Sequence, residues 1–238
     1  MGSVDNPAKP IKNSAVVGIF AKTPVAGQVK TRLCPPLHLE QAAELYRVAL
    51  DETIRRFGGQ SFDLVIFHAG GEDYFLHNYP GQNRQPQRGG DLGARMAQAL
   101  NGLLRQGYQQ AVLIGSDSPD LPLAYVKQAF SALQTVEVVI APAADGGYVL
   151  IGESKHHPAL FDAMPWSQPD LMTQTRQVLT KQRIRAKFLP GWEDVDDLAS
   201  LESLLQRSPL SLTAAHIREH LAVFLTPPSS SEAPEYHG

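Results

Sequence analysis

The run Ala15-Val-Val-Gly-Ile-Phe20 is apolar, rich in β-branched residues, and leads without a break into Ala-Lys-Thr-Pro-Val-Ala-Gly-Gln-Val-Lys-Thr-Arg-Leu33. The first stretch has the length and character of a buried strand; the second has no regular apolar period. A buried strand that delivers a cationic, Gly- and Pro-containing loop is a feature of open α/β sheets, which bind ligands in the crevice beyond their strand carboxyl ends. Gly27 lets backbone approach a ligand closely, while Lys22, Lys30 and Arg32 offer point and forked charge to phosphate oxygens. The loop is therefore read as a phosphate loop rather than a solvated basic turn.

Strand and helix patterns alternate downstream. The stripe Ala42, Tyr46, Ala49, Thr53 and Phe57 predicts a helix over 39–57 that stops at Gly58-Gly59. Apolar runs predict strands at 62–68, 111–115, 136–141, 148–152 and 186–189. Asp91 caps a predicted helix that ends at Gly107, and further helices are expected at 123–133, from a Ser167/Asp170 capping box to about 181, from Asp197, and over 212–225. The alternation implies an α/β fold, a Rossmann-like and mostly parallel mixed sheet with helices on both faces. Asp145-Gly146-Gly147 between two strands is a hairpin signal, so at least one strand should run antiparallel.

With 238 residues and 43% hydrophobic content, one domain over 14–225 is expected, flanked by disordered segments at 1–13 and 226–238. A net charge of -3 argues against a nucleic-acid partner. Cys34 is the only cysteine, which excludes an internal disulfide and a Cys-based zinc site and suits a cytoplasmic location. No apolar run is long enough for a membrane span, and no export signal is read at the start.

Several clusters could carry chemistry. Gly115-Ser-Asp-Ser-Pro-Asp-Leu-Pro122 follows a strand; Asp117 is read as a divalent-cation ligand and Asp120 as structural, capping the next helix. In Trp192-Glu-Asp-Val-Asp196, Asp194 and Asp196 share one face of an extended segment, which suits two ligands for one cation; the competing account is that Asp196 or Asp197 simply caps the next helix. Asp145 is placed to meet a substrate hydroxyl, with Gly146 and Gly147 allowing close approach, yet an ordinary hairpin turn explains the same residues. Gly90, Asp91 and Gly93 could reach a base or ribose. Trp166 is either an aromatic wall for substrate or a core residue.

Taken together, Phe-Ala-Lys-x-Pro-x-x-Gly-x-x-Lys-Thr-Arg-Leu, Gly-Asp-Leu-Gly-x-Arg-Met, Gly-Ser-Asp-Ser-Pro-Asp-Leu-Pro, Ala-Asp-Gly-Gly-Tyr and Asp-Val-Asp resemble a bacterial GT-A-like glycosyltransferase family of the arsenosugar-biosynthesis-associated type. The resemblance spans about Val16 to Leu205 and implies the nucleotide-diphospho-sugar transferase superfamily, which also holds guanylyltransferases. It implies that Lys22, Gly27, Lys30 and Arg32 hold a diphosphate, and that Gly90, Asp91 and Gly93 lie at the nucleoside. It further implies that Asp117 with Asp194 or Asp196 binds Mg2+ or Mn2+, and that Asp145 faces the acceptor. The chain departs from the family's usual Asp-Val-Asp-Thr-Pro-Glu-Asp-Leu ending, and reads Asp-Ser-Pro where many glycosyltransferases have Asp-x-Asp.

The leading expectation is metal-dependent glycosyl transfer from a nucleotide sugar, with Asp145 as general base and Asp117 stabilising the leaving group. Nucleotidyl transfer would use the same loop and cation, and a non-catalytic nucleotide-binding module is the third alternative. The expected partners are a nucleotide sugar or nucleotide, a small-molecule acceptor and a second copy of the chain.

Overall fold

The computed structural model describes residues 13–144, 146–166 and 168–225. Its spine is a seven-stranded sheet built from β1 (Ala15–Lys22), β2 (Asp63–Ala69), β3 (Asn83–Pro86), β4 (Gln110–Gly115), β5 (Val138–Pro142), β6 (Tyr148–Glu153) and β7 (Ala186–Phe188). The spatial order is β3-β2-β1-β4-β6-β5-β7. Only β6 pairs antiparallel with its neighbours; the other pairs are parallel. The expected mixed, mostly parallel sheet is present, and its antiparallel strand follows directly on Gly147.

The helices are α1 (Leu39–Phe57), α2 (Glu72–Asn78), α3 (Leu92–Arg105), α4 (Leu123–Leu133), α5 (Leu171–Lys181), α6 (Leu198–Arg207) and α7 (Leu212–His220). Successive strand residues point to opposite faces, and β1 shows this directly. Val17 and Ile19 enter a cluster with Tyr46, Leu50 and Phe57 of α1 and Val126 of α4, whereas Val16 joins Leu100 and Leu103 of α3 and Leu179 of α5. Gly18 is bare for a steric reason: a Cβ there would lie 2.5 Å from Leu113 Cδ2.

A third cluster joins Leu33, Leu37, Leu45, Val195, Leu201, Leu204 and Ile217. It fastens the loop after β1 and the segment before α6 to one apolar base beside the sheet.

Three details differ from the sequence reading. Asn13, expected in a loose segment, donates from Nδ2 to Asp63 Oδ1 at 2.8 Å. The predicted helix over 212–225 is α7 to His220 followed by a 3-10 turn at Ala222–Phe224. The pair α2 and β3 was not anticipated, because β3 is the polar edge strand Asn-Arg-Gln-Pro and carries no apolar alternation. The rest of the 1–13 segment, all of 226–238, Asp145 and the Ser167 of the expected capping box lie outside the described residues.

Candidate active site at the carboxyl edge of the sheet

β1 and β4 are parallel neighbours, and Phe20 lies opposite Gly115, so both strands release their chains at one edge. From β1 the chain proceeds to β2 and β3 on one side, while β4 and the remaining strands build the other side. This is the topological switch point, where an open α/β sheet leaves a crevice for ligand.

The loop after β1 enters that crevice between two anchors, Val29 and Leu33, which are 3% and 0% exposed. Between them Lys30 adopts left-handed backbone, φ 49° and ψ 34°, just before the 3-10 turn Thr31–Leu33. The Lys30 side chain is 4% exposed and pairs with Asp117. Its Nζ also donates to Val195 O at 2.6 Å and to Asp196 Oδ1 at 3.0 Å. Burial pulls the ammonium pKa down, but Asp117 and Asp196 outweigh it and hold the group above its ordinary value.

Two segments distant in sequence supply those carboxylates. Val195 donates its backbone N–H to Asp117 O at 2.8 Å, and its side chain is buried in the third cluster. The alternation across Val195 leaves Asp194 and Asp196 for the polar side. Asp196 meets Lys30, with Arg32 Nη1 at 3.6 Å, and Asp194 accepts a hydrogen bond from the buried Ser118 hydroxyl. Burial pushes the Asp194 carboxyl up to about 7, against the Ser118 hydrogen bond that favours its ionised form, and Asp117 adds to the rise.

Tyr46 stitches the strand ends beneath. Its Oη accepts from Lys22 N at 2.8 Å and shares a hydrogen bond with Ser116 Oγ at 2.8 Å. Burial, then the nearby Asp117 charge, push this phenol up to about 12. Ser116, Ser118 and Tyr46 were not singled out from sequence. Tyr46 lay within an apolar helical stripe, and only the fold turns its hydroxyl to the strand ends.

The other predicted residues divide. Lys22 and Arg32 are exposed; the Arg32 side chain is 73% exposed and pairs loosely with Asp196. Gly27 has φ 78° in the same loop. Asp120 is structural, as read, but Pro122 occupies the N-cap of α4, and Asp120 instead forms a buried ion pair with Arg207. Across β1, Asp91 caps α3 by accepting from Ala94 N at 2.7 Å, next to the exposed Gly90.

Gly93 is pressed against Trp166, where an added Cβ would lie 2.1 Å from Nε1. Trp166 stacks on Phe161 at 6.3 Å and meets Tyr148 edge-on at 6.0 Å, so the structure shows it packed on the second core cluster and supporting the start of α3. Gly146 has φ 92° and backs onto Pro169, and Gly147 O accepts from Ala143 N at 2.9 Å.

Gln87 was also missed as a single residue. Its side-chain amide donates to Ala21 O at 3.1 Å and Phe67 O at 2.9 Å, tying the ends of β1 and β2 together beside the crevice.

Among the described residues, no group of three or more His, Cys, Asp or Glu side chains is arranged to hold a metal ion. Asp117 and Asp196 nevertheless converge on one cation, the Lys30 ammonium. Mg2+-type sites use one or two carboxylates and take further oxygens from substrate phosphates. The residues therefore fit a cation shared with a phosphorylated ligand.

The family model "Uncharacterized protein conserved in bacteria (DUF2064)" matches residues 53–168. A solved structure of a candidate nucleotide-diphospho-sugar transferase from Desulfovibrio desulfuricans G20 is 33% identical, with a TM-score of 0.83 over 89% of this chain and 96% of that one. The chain belongs to the DUF2064 family.

The DUF2064 fold extends to more distant structures. A cytidylyltransferase from Leptospira borgpetersenii aligns at TM-score 0.55 and 12% identity, covering 90% of this chain and 98% of that one. CMP:2-keto-3-deoxy-manno-octonic acid synthetase complexed with CTP aligns at 0.52 and 10% identity, covering 82% and 99%. At such identities they share the fold alone. No curated protein sequence matches this DUF2064 chain. No described helix is long and apolar enough to cross a membrane.

Proposed function

We propose that the protein is a transferase that moves a sugar from a nucleotide-diphospho-sugar to a small acceptor. The observation that carries this reading is the buried Lys30 ammonium held between Asp117 and Asp196 at the switch point of the sheet. Phosphate-binding charge and cation-binding carboxylates are there within reach of each other. The likeness to the Desulfovibrio protein supports the same class. The sequence resemblance carries it further, to the arsenosugar-associated type working in the reducing cytoplasm.

In this reading Lys30, Lys22 and Arg32 bind the diphosphate, while Gly90, Asp91 and Gly93 border the nucleoside. Asp117 and Asp196, with Asp194 behind them, would hold Mg2+ or Mn2+. Such a cation would neutralise charge on the departing diphosphate. Lys30 turns from the carboxylates to phosphate oxygens, so positive charge is in place before the glycosidic C–O bond breaks. The acceptor oxygen forms the new bond to the anomeric carbon and gives its proton to a base, for which Asp145 between β5 and β6 is the candidate. Gly146 and Gly147 leave room for the acceptor, and Trp166 shapes the wall behind α3.

A second reading, nucleotidyl transfer, draws on the fold shared with the two cytidylyl-type enzymes. Thermal-shift screening against UDP, GDP, CDP and their sugars, with and without Mn2+, would name the nucleotide by mass action. Product analysis then separates the reactions: nucleoside diphosphate from a sugar donor supports glycosyl transfer, and pyrophosphate from a triphosphate supports the second reading. Binding without turnover of either would leave a nucleotide-binding module.

A further inference from the structure

Arg207, the last residue of α6, ties together the two acidic segments of the site without being part of it. Its Nε donates to Asp120 Oδ2 at 2.7 Å, and Nη2 donates to Asp120 Oδ1 at 3.1 Å and Glu193 O at 3.1 Å. Nη1 pairs with the Glu193 carboxylate and donates to Ser203 Oγ at 3.1 Å. All five guanidinium N–H groups are thereby used. Asp120, whose side chain is 1% exposed, is completed by Ser208 Oγ at 2.8 Å and Trp192 Nε1 at 3.3 Å.

The placement of these partners matters more than their number. Asp120 lies three residues after Asp117, and Glu193 immediately precedes Asp194. Neither the turn carrying Asp117 nor the stretch 193–196 belongs to a helix or to a strand of the sheet, and between them run a single backbone hydrogen bond, Val195 N to Asp117 O, and the Ser118–Asp194 contact. Lys30 bridges Asp117 and Asp196 from within; once it turns to a phosphate, the facing carboxylates repel, and keeping them at a spacing that one cation can bridge needs a constraint from outside the pair. A planar, fully paired guanidinium supplies that constraint better than a flexible ammonium. A buried ion pair adds little net stability over an apolar pair of similar volume, which favours an orienting role.

We propose that Arg207 is a positioning residue for this edge, acting through Asp120 and Glu193 to set Asp117 against Asp194 and Asp196. The inference rests on the reading of that edge as a cation and diphosphate site. Its test uses the full chain carrying Arg207→Met, Arg207→Lys or Glu193→Gln, with Tyr108→Phe as control. Tyr108, itself buried, donates to Asp63 Oδ2 at 2.9 Å at the start of β2, the strand end opposite the site.

Two measurements are made on each folded variant: Mn2+ affinity by electron paramagnetic resonance, and hydrogen exchange at the Val195 amide. Arg207→Met should raise the Mn2+ dissociation constant about tenfold and speed Val195 exchange by about tenfold or more, through local opening. Arg207→Lys and Glu193→Gln should fall between it and wild type, and Tyr108→Phe should change neither. Should Arg207→Met fail to fold, these two milder variants carry the test. Wild-type Mn2+ affinity and Val195 protection in all three variants would overturn the proposal. If the wild type binds no Mn2+ either alone or with a nucleoside diphosphate present, the cation reading of the edge fails; the exchange measurement then decides the clamp alone, supporting it if accelerated and overturning it if not.

Discussion

Lys30 Nζ lies 3.0 Å from Asp196 Oδ1 across 166 residues of chain, and the same ammonium pairs with Asp117. The contact brings the loop after β1 and the segment before α6 to one point. It also places a cation between two carboxylates that would serve a divalent ion. In the proposed function, Lys30 would exchange these partners for phosphate oxygens when a diphosphate enters.

Removing Lys30 should act in opposite directions on the two ligands. Lys30→Ala should weaken nucleoside diphosphate binding by about 1.5–3 kcal/mol, the range for charge-assisted hydrogen bonds. The same variant should bind Mn2+ alone more tightly than wild type, because an internal competitor has gone. Titration calorimetry with each ligand separately checks both signs, and unchanged affinity for either would break the exchange account.

Asp194 predicts a pH dependence. Its folded carboxyl titrates at about 7 against an ordinary 3.8, so the folded chain binds this proton more tightly than the unfolded one. The associated stability is fully present below about pH 4 and is lost as pH rises towards 7. Asp194→Asn, which cannot ionise, should gain on wild type across that window by about 2–4 kcal/mol. Denaturant melts in chelator-containing buffer from pH 4 to 8 would show a widening difference; a constant one would mean Asp194 ionises normally.

Gly93 and Trp166 predict a steric coupling. Gly93→Ala places a methyl group 2.1 Å from the indole nitrogen and should cost about 1–3 kcal/mol by overpacking. Adding Trp166→Ala should recover part of that loss, so that the double variant is better than the sum of the singles. Strict additivity would show that the two residues are not in contact.

The legible parts of this chain were those governed by local pattern. The stripe from Ala42 to Phe57 gave α1 its observed bounds, and the apolar run before Gly115 marked β4. β3 escaped because an edge strand paired on one side need not be apolar, and its four residues acquire strand character only beside β2. At the site, the carboxylates could be named from sequence because strand ends in an α/β sheet share an edge. The pairing of Lys30 with both Asp117 and Asp196 could not, because it depends on the third apolar cluster bringing Leu33 and Val195 together. Trp166 shows the opposite limit: a tryptophan beside a helix start suits a core or a substrate wall, and its packing on Phe161, Tyr148 and Gly93 appears only in the fold.

The catalytic share of Asp117 should exceed its binding share. In the proposed transfer, negative charge would grow on the leaving diphosphate in the transition state, so a group that holds its counter-cation would matter most there. Asp117→Asn should lower kcat by about a hundredfold while donor affinity falls less. Steady-state release of nucleoside diphosphate, with donor binding measured separately, distinguishes this from a simple loss of affinity.

The most direct measurement is a crystal structure of the wild-type protein with Mn2+ and the nucleoside diphosphate chosen by thermal shift, with the ion located by anomalous scattering. The account predicts Mn2+ at the β1–β4 switch point, about 2.0–2.6 Å from an oxygen of Asp117 or Asp196 or one bridging water away, and Lys30 Nζ turned onto a phosphate oxygen. Nucleotide and ion bound elsewhere, with Lys30 still closed on Asp117 and Asp196, would contradict it.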